Sequence, residues 1–282
     1  MFIIGVKMNQ EVEKRCAKVI DKSKTVVREA FEKFDPKYLG ITWTGGKDST
    51  TNLWIIRQVC IEDNVDLPLV MTIDEGDAFP EITDFLIRIS NKWNIDLKWR
   101  TNWDVLARAH SHLGNTVQVK DLNERNKAEL ERIGFKDDSF KFEAESEAGN
   151  HLMKTVVFNQ FVEEYNLKGM FVALRRDEQA SRKNDEYFTD KESGHLVPSH
   201  TRICPILDFT ERDIWNNTKQ YNIPFCSLYG IGYRSLGART STNISEYGVP
   251  AWEQDLEHTS ERGSRRQDKE KAMERLRKLG YM

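Results

Sequence analysis

A chain of 282 residues with 39% hydrophobic and 31% charged side chains can bury a full core and has the balance of a globular protein, not a disordered one. Its formal net charge of −3 excludes a global basic field that would hold it on nucleic acid, so an anionic ligand needs a local patch. Cys16, Cys60, Cys204 and Cys226 lie far apart with no C-x-x-C pair, which fits a reducing compartment and excludes a disulfide framework or a zinc ribbon.

The opening MFIIGVKMNQ has too short an apolar run for a signal peptide, and no stretch nears the roughly 20 apolar residues of a membrane span, so the protein is expected in the cytoplasm and away from membranes. Residues 8–34 carry Val12, Cys16, Val19, Ile20, Val26, Val27, Ala30, Phe31 and Phe34 at steps of three and four, the pattern of an amphipathic helix. YLGITWT then reads as a buried strand, its glycines as a tight turn, and TTNLWIIRQVCIE as a helix. LPLVMTID is a second strand closed by EGDAFPE, EITDFLIRISNKW a helix and IDLKWRT a third strand. Residues 113–150 are charged without a long apolar run and read as a surface insertion or a mobile cover. HLMKTVVFNQFVEEYNL is a further helix leading into the strand GMFVAL. Strands alternating with helices predict an α/β domain with a doubly wound, mostly parallel sheet, in which ligands bind at the carboxyl ends of the strands.

The segment Thr44, Gly45, Gly46, Lys47, Asp48, Ser49 falls between the first strand and the helix after it. Such a loop points backbone N–H groups and the positive end of the helix dipole at an anion. Glycines let the backbone approach a phosphate closely, Lys47 adds a point charge, and Thr44 and Ser49 add hydroxyl donors. Asp48 stands where a Walker A loop requires Ser or Thr, position 41 is not glycine, and G-x-G-x-x-G is absent, so neither of those phosphate motifs applies. An ordinary strand–helix turn capped by Asp48 is the alternative.

The stretch resembles the pyrophosphate loop of the N-type ATP pyrophosphatases, S-G-G-x-D-S, with Thr44 in place of the first Ser. The resemblance implies the adenine nucleotide alpha-hydrolase-like (PP-loop) fold. It also implies that Lys47, Gly45, Gly46 and Ser49 hold the leaving pyrophosphate of ATP while the α-phosphate is attacked. Mg²⁺ would arrive with ATP, with Asp48 as its protein ligand. TIDEGDAFPE resembles the second-strand segment of the sulfate adenylyltransferase small subunit and its phosphoadenylylsulfate reductase relatives, which would set Asp74 beside the nucleotide. Asp74 as a turn residue and Phe79 as core explain that stretch equally well.

ALRRDEQASR, with Arg175, Arg176, Asp177, Glu178, Ser181 and Arg182, resembles the A-R-R-D-E-x-x-S-R segment of the same small subunit. Bringing two anions together calls for fixed guanidinium groups, and charge developing at the α-phosphorus calls for donors already in place, so Arg175, Arg176 and Arg182 are expected to face the acceptor and the α-phosphate. A solvated charge run with local ion pairs is the competing account. HLMKT, with His151, Lys154 and Thr155, and PILDFTERDIWNNTKQYNIPFCSLY, read as an apolar strand and a Trp-bearing helix capped by Thr210 with Asp213, resemble further segments of that subunit. From Ser260 onward eight basic and four acidic residues leave a local +4. The chain departs from the family at YRSLGARTST, where a stretch is missing and Ala238 replaces a cysteine.

The expected organisation is an N-terminal helix over 1–37, a PP-loop ATP pyrophosphatase domain over 38–228 with 113–150 inserted, and a basic tail over 229–282. The resemblance implies adenylyl transfer from MgATP to sulfate with release of pyrophosphate, and a GTPase large subunit as partner. The alternative keeps the chemistry but adenylates a nucleic acid, DNA or tRNA, for sulfur insertion with a sulfur-transfer partner. The reductase reaction is set aside because it needs a nucleophilic cysteine near the C-terminus, and none follows Cys226. His110 with His112, and His195 with His200 and Cys204, form no closed ligand set. A nucleotide sensor without turnover is the remaining class.

Overall fold

The computed structural model describes residues 9–143, 146–179 and 182–264. Helix α1, Gln10–Lys33, starts at Asn9, whose side chain accepts from the Glu11 N–H, and buries Cys16, Val19, Ile20, Val26, Val27 and Ala30. This apolar stripe packs on α2 (Lys47–Asp63) and on the later helix α8 (Glu211–Gln220). Arg15 ties α1 to α8 through two contacts to the Asp213 carboxylate, at 2.7 and 3.1 Å.

Strands β1 (Leu39–Thr42), β2 (Leu69–Ile73) and β3 (Leu97–Arg100) alternate with α2 and α3 (Pro80–Trp93), as the hydrophobic pattern predicts. After α4 (Trp103–Arg108) the chain leaves the sheet. It forms a hairpin of β4 (Thr116–Gln118) and β5 (Ser139–Lys141), with α5 (Glu124–Arg132) between them. It returns through α6 (Glu147–Asn150), a π-helical turn over His151–Val156 and α7 (Val157–Glu164). The run expected to be one helix from His151 thus carries a π turn at its start. Residues 113–150 build a small core of their own with α4: Val105, Val117, Leu130, Phe140, Phe142 and Leu152 are buried together.

Strand β6 (Gly169–Phe171) re-enters beside β1, followed by β7 (Phe188–Lys191) and β8 (His200–Ile203). The six-stranded order is β3-β2-β1-β6-β8-β7, with every pairing parallel except the edge pair β7–β8. The last strand runs through His200–Ile203 and not through PILDF, which forms a turn. Pro205 has no N–H to continue a ladder. The mostly parallel sheet with helices on both faces is the doubly wound α/β fold.

This order places the site. Successive strands run outward from β1 to β3, and the chain then crosses back to β6 on the other side of β1. The crevice at the carboxyl ends of β1 and β6, where the order reverses, is where such sheets bind ligands. Ile41 pairs with Phe171 in register. The loops after β1 and β6 therefore leave the sheet side by side, one carrying Lys47 and the other Arg175.

Candidate active site

The loop after β1 is held by its own hydroxyls. Gly45 has φ +77°, and a Cβ there would sit 3.2 Å from Ile82 and 3.3 Å from Leu86, so only glycine fits without strain. The Ser49 hydroxyl donates to the Gly46 carbonyl at 3.1 Å and lies 3.1 Å from the Thr44 hydroxyl. Gly46 caps α2 without a side-chain bond, and the Lys47 N–H donates to the Tyr229 hydroxyl at 2.9 Å.

Lys47 and Arg175 are buried, and their charges converge. The Lys47 ammonium lies 2.5 Å from Glu261, 3.5 Å from Asp48 and 3.7 Å from Glu211, and donates to the Arg234 carbonyl at 3.1 Å. The Arg175 guanidinium approaches Asp48 at 2.7 Å and Asp177 at 3.0 Å, and its remaining edge binds the second oxygen of Glu261. Two carboxylates, Asp48 and Glu261, thus bridge the two cations. Burial alone would pull the Lys47 ammonium down, but Asp48, Glu261 and Glu211 outweigh it and the net shift is upward. Arg175 follows the same balance with Asp48, Glu261 and Asp177. Both cations stay charged at any working pH. The carboxyls bear the strain instead: burial pushes Asp177 up, and burial with the nearby Glu261 charge pushes Glu211 up.

Arg176 and Arg182, expected to face the acceptor with Arg175, are elsewhere. Arg175 has extended backbone, φ −125° and ψ 143°, so its neighbour projects to the opposite side. Arg176 pairs with Asp208, donates to the Asp185 carbonyl at 2.8 Å and lies over the Tyr187 ring. Arg182 pairs with Glu178 four residues before it. Ser181 lies outside the described residues. Asp74 ends β2 and folds back to accept from the Gly76 N–H at 2.9 Å, while Glu75 meets Lys154 of the π turn at 2.8 Å. The buried Asp77 accepts from the Thr240 N–H at 3.2 Å, which brings the divergent YRSLGARTST segment against the β2 end.

Asp48 does not fit its expected role as a metal ligand, since its carboxylate faces Arg175 and Lys47. Among the described residues no three His, Cys, Asp or Glu side chains converge on a metal site. Next to the Lys47–Arg175 pair lies a cavity of about 380 Å³ lined by Asp177, Glu178, Glu211, Arg234, Ser260 and Glu261 among others. Four residues that complete this centre were not among the expected ones: Glu211, Tyr229, Arg234 and Glu261. Glu211 had a visible signal, a glutamate just after a helix cap, which reads equally well as capping chemistry. Glu261 had none, because it is one charge in a charged ending.

Residues 39–244 match the phosphoadenosine phosphosulfate reductase domain. The chain belongs to that family. It is 27% identical over 188 residues to a phosphoadenosine 5'-phosphosulfate reductase of Buchnera aphidicola, covering 67% of this chain and 65% of that protein. A sulfate adenylyltransferase subunit 2 of Shewanella amazonensis is 24% identical over 238 residues, covering 78% of this chain and 68% of that one. A probable FAD synthase of Caenorhabditis elegans is 22% identical over 231 residues but is spanned for 34% of its length. The chain therefore spans between about a third and two thirds of the first curated relatives.

Among solved structures, an FMN adenylyltransferase of Candida glabrata superposes with a TM-score of 0.64 at 16% identity, over 94% of this chain and 92% of the other. A phosphoadenylyl-sulfate reductase of Candida auris superposes with 0.54 at 14%, over 85% and 100%. These likenesses are of fold, and the fold is the PP-loop adenine nucleotide alpha-hydrolase type. Within the family this chain's last cysteine, Cys226, is fully buried and its thiol is pushed up by burial, the setting of an inert cysteine. Among the described residues no helix is long and apolar enough to cross a membrane.

Proposed function

We propose that this protein transfers the adenylyl group of MgATP to an oxyanion acceptor and releases pyrophosphate. The observation that carries the reading is the convergence of two buried cations, Lys47 and Arg175, on shared carboxylates at the N-terminus of α2, Glu261 from the far end of the chain among them. Two fixed charges that converge on shared anions, beside a glycine loop and a helix N-terminus, suit the outgoing phosphates of a nucleotide. Thr44, Gly45, Gly46, Lys47 and Ser49 hold the leaving pyrophosphate, and Arg175 reaches from it towards the α-phosphate. Asp74 lies on the adenosine side, at the end of β2. Arg176 and Arg182 act through their neighbours, stiffening the segment that presents Arg175. Mg²⁺, supplied with the nucleotide, would neutralise charge developing on the phosphates.

Sulfate is the first acceptor to test, on the strength of the relatives named sulfate adenylyltransferase subunit 2, whose name also implies a partner subunit. It needs no general base because it is already an anion. A second reading is a larger acceptor that carries a phosphate, such as FMN. The relative named a probable FAD synthase supports it, and a cavity of about 380 Å³ lies beside the cation pair. Isotope exchange of pyrophosphate into ATP separates the two: exchange dependent on sulfate supports the first, exchange dependent on FMN the second. Products of ADP and orthophosphate would refute adenylyl transfer altogether.

A further inference from the structure

Glu261 is paired with Lys47 across 214 positions of sequence and with Arg175 across 86. Its two oxygens are divided between the ammonium and the guanidinium, so a planar, doubly coordinated anion already sits where the loop and the arginine converge. Cations this deeply buried require a counter-charge in every state of the protein. The chain's own carboxylates meet that requirement, Glu261 and Asp48 on both cations, Glu211 on Lys47 and Asp177 on Arg175.

We propose that the segment carrying Glu261 is an intrasteric strap, its carboxylate standing in for the nucleotide's terminal phosphates and having to leave Lys47 and Arg175 before they can hold pyrophosphate. This rests on the reading that the loop binds pyrophosphate. Displacement, not addition, follows from charge. Asp48, Asp177 and Glu211 already crowd the same two cations, and burial with the Glu261 charge holds Glu211 above the ordinary carboxylate range. A pyrophosphate entering beside Glu261 would stack like charges in a low-dielectric site.

The strap has a fixed base and a tip bound by charge. Arg234, buried against Glu211, donates to the carbonyls of Asp255 at 3.1 Å, Leu256 at 3.3 Å and Thr259 at 3.1 Å. The chain is therefore pinned through Thr259, two residues before the carboxylate that enters the site. Release of the tip leaves the base in place, and the carboxylate returns when the product departs.

The test uses the full chain and inorganic pyrophosphate, titrated calorimetrically into the wild type and Glu261→Gln. A strap that occupies the site about 90% of the time weakens apparent affinity about tenfold, so the variant is expected to bind pyrophosphate about tenfold more tightly. Equal or weaker binding by the variant would overturn the strap and leave the pyrophosphate loop standing. Absence of binding by both proteins would overturn both. Glutamine leaves Lys47 and Arg175 less neutralised and can weaken the fold, so a second measurement uses the wild type alone. Amide hydrogen exchange across residues 255–264 is expected to speed up at Ser260–Ser264 when pyrophosphate is added, with 255–259 unchanged. Slower exchange at 260–264, the behaviour of a segment that closes over ligand, would overturn the proposal.

Discussion

Two regions of this molecule bury charge, and they neutralise it in different ways. In the small unit built by α4–α6, the fully buried Glu129 carboxylate is met by Arg125 at 3.2 Å and Arg132 at 3.0 Å on its own helix, and by His151 at 3.0 Å from the next element. In the crevice at the strand ends, Lys47 and Arg175 are met by Asp48 and Asp177 beside them in sequence and also by Glu211 and Glu261 from the far end of the chain. The first arrangement draws its partners from neighbouring elements, and Arg125 extends it to Glu163 of α7 at 2.9 Å. The second gathers cations from two crossovers of the sheet and gives them an added anion on a remote segment, the one we propose a phosphate replaces. Buried charge with local partners stabilises architecture, whereas buried charge with a remote, replaceable partner marks a ligand site.

The comparison breaks most sharply at Lys47. Lys47→Ala removes a preorganised charge from the leaving group and is expected to slow pyrophosphate release by roughly 10³-fold, read in a coupled pyrophosphate assay. Turnover unchanged within a few-fold would remove Lys47 from the chemistry. The corresponding change in the small unit, Glu129→Gln, removes the buried charge that Arg125, Arg132 and His151 share and is expected to cost about 3 kcal/mol in urea unfolding while leaving pyrophosphate affinity as it was. Its pH signature is specific. Burial pushes the Glu129 carboxyl up, but the His151 and Arg132 contacts outweigh it and hold it below its ordinary value of 4.5. The native state thus binds this proton less readily than the unfolded chain. The stabilisation is complete above pH 4.5 and declines as pH falls through the lower native value. The variant should lack that part of the acid limb, and an identical acid limb would show that the pair is not linked to folding.

This contrast also sets how far the sequence can be read. The unit from Leu39 to Asp63 is legible because a continuous apolar run gives way to glycines and then to a helical period, each signal local. Arg175 is legible because two arginines directly after an apolar strand end are unusual. The core of residues 113–150 is not, since Val117, Leu130 and Phe140 stand singly among charges and meet only when β4 and β5 pair. Strands β7 and β8 escape for a related reason: FTDK and HTRI are four residues each, and three of the four in each are polar. Glu261 is the extreme case. An ion pair across 214 residues leaves no periodicity, and the same glutamate reads as one charge of a solvated ending.

Arg175 and Arg176 sharpen the comparison at single-residue scale. They are adjacent, yet the first side chain is 1% exposed and the second 34%. Arg175→Ala is expected to lower the adenylyl-transfer rate by about 10²-fold, the loss of one fixed donor. Arg176→Ala removes a partly exposed pair with Asp208 and should change the rate by less than about threefold. Equal losses would mean that both arginines reach the reacting phosphates.

A small effect on stability is expected at Tyr229, where loop and helix meet in one buried hydrogen bond. Its buried hydroxyl accepts from the Lys47 N–H, one of the donors that a helix N-terminus leaves without an intrahelical partner. Tyr229→Phe keeps the ring and orphans that N–H, so the ligand-free protein should lose about 1 kcal/mol of stability. An N–H at the first position of α2 is also a donor that a bound phosphate can use. Saturating pyrophosphate should therefore shrink the difference between variant and wild type in thermal unfolding. If the loss is the same with and without pyrophosphate, the hydroxyl serves the architecture alone, and the anion sits farther along the loop, towards Gly45 and Ser49.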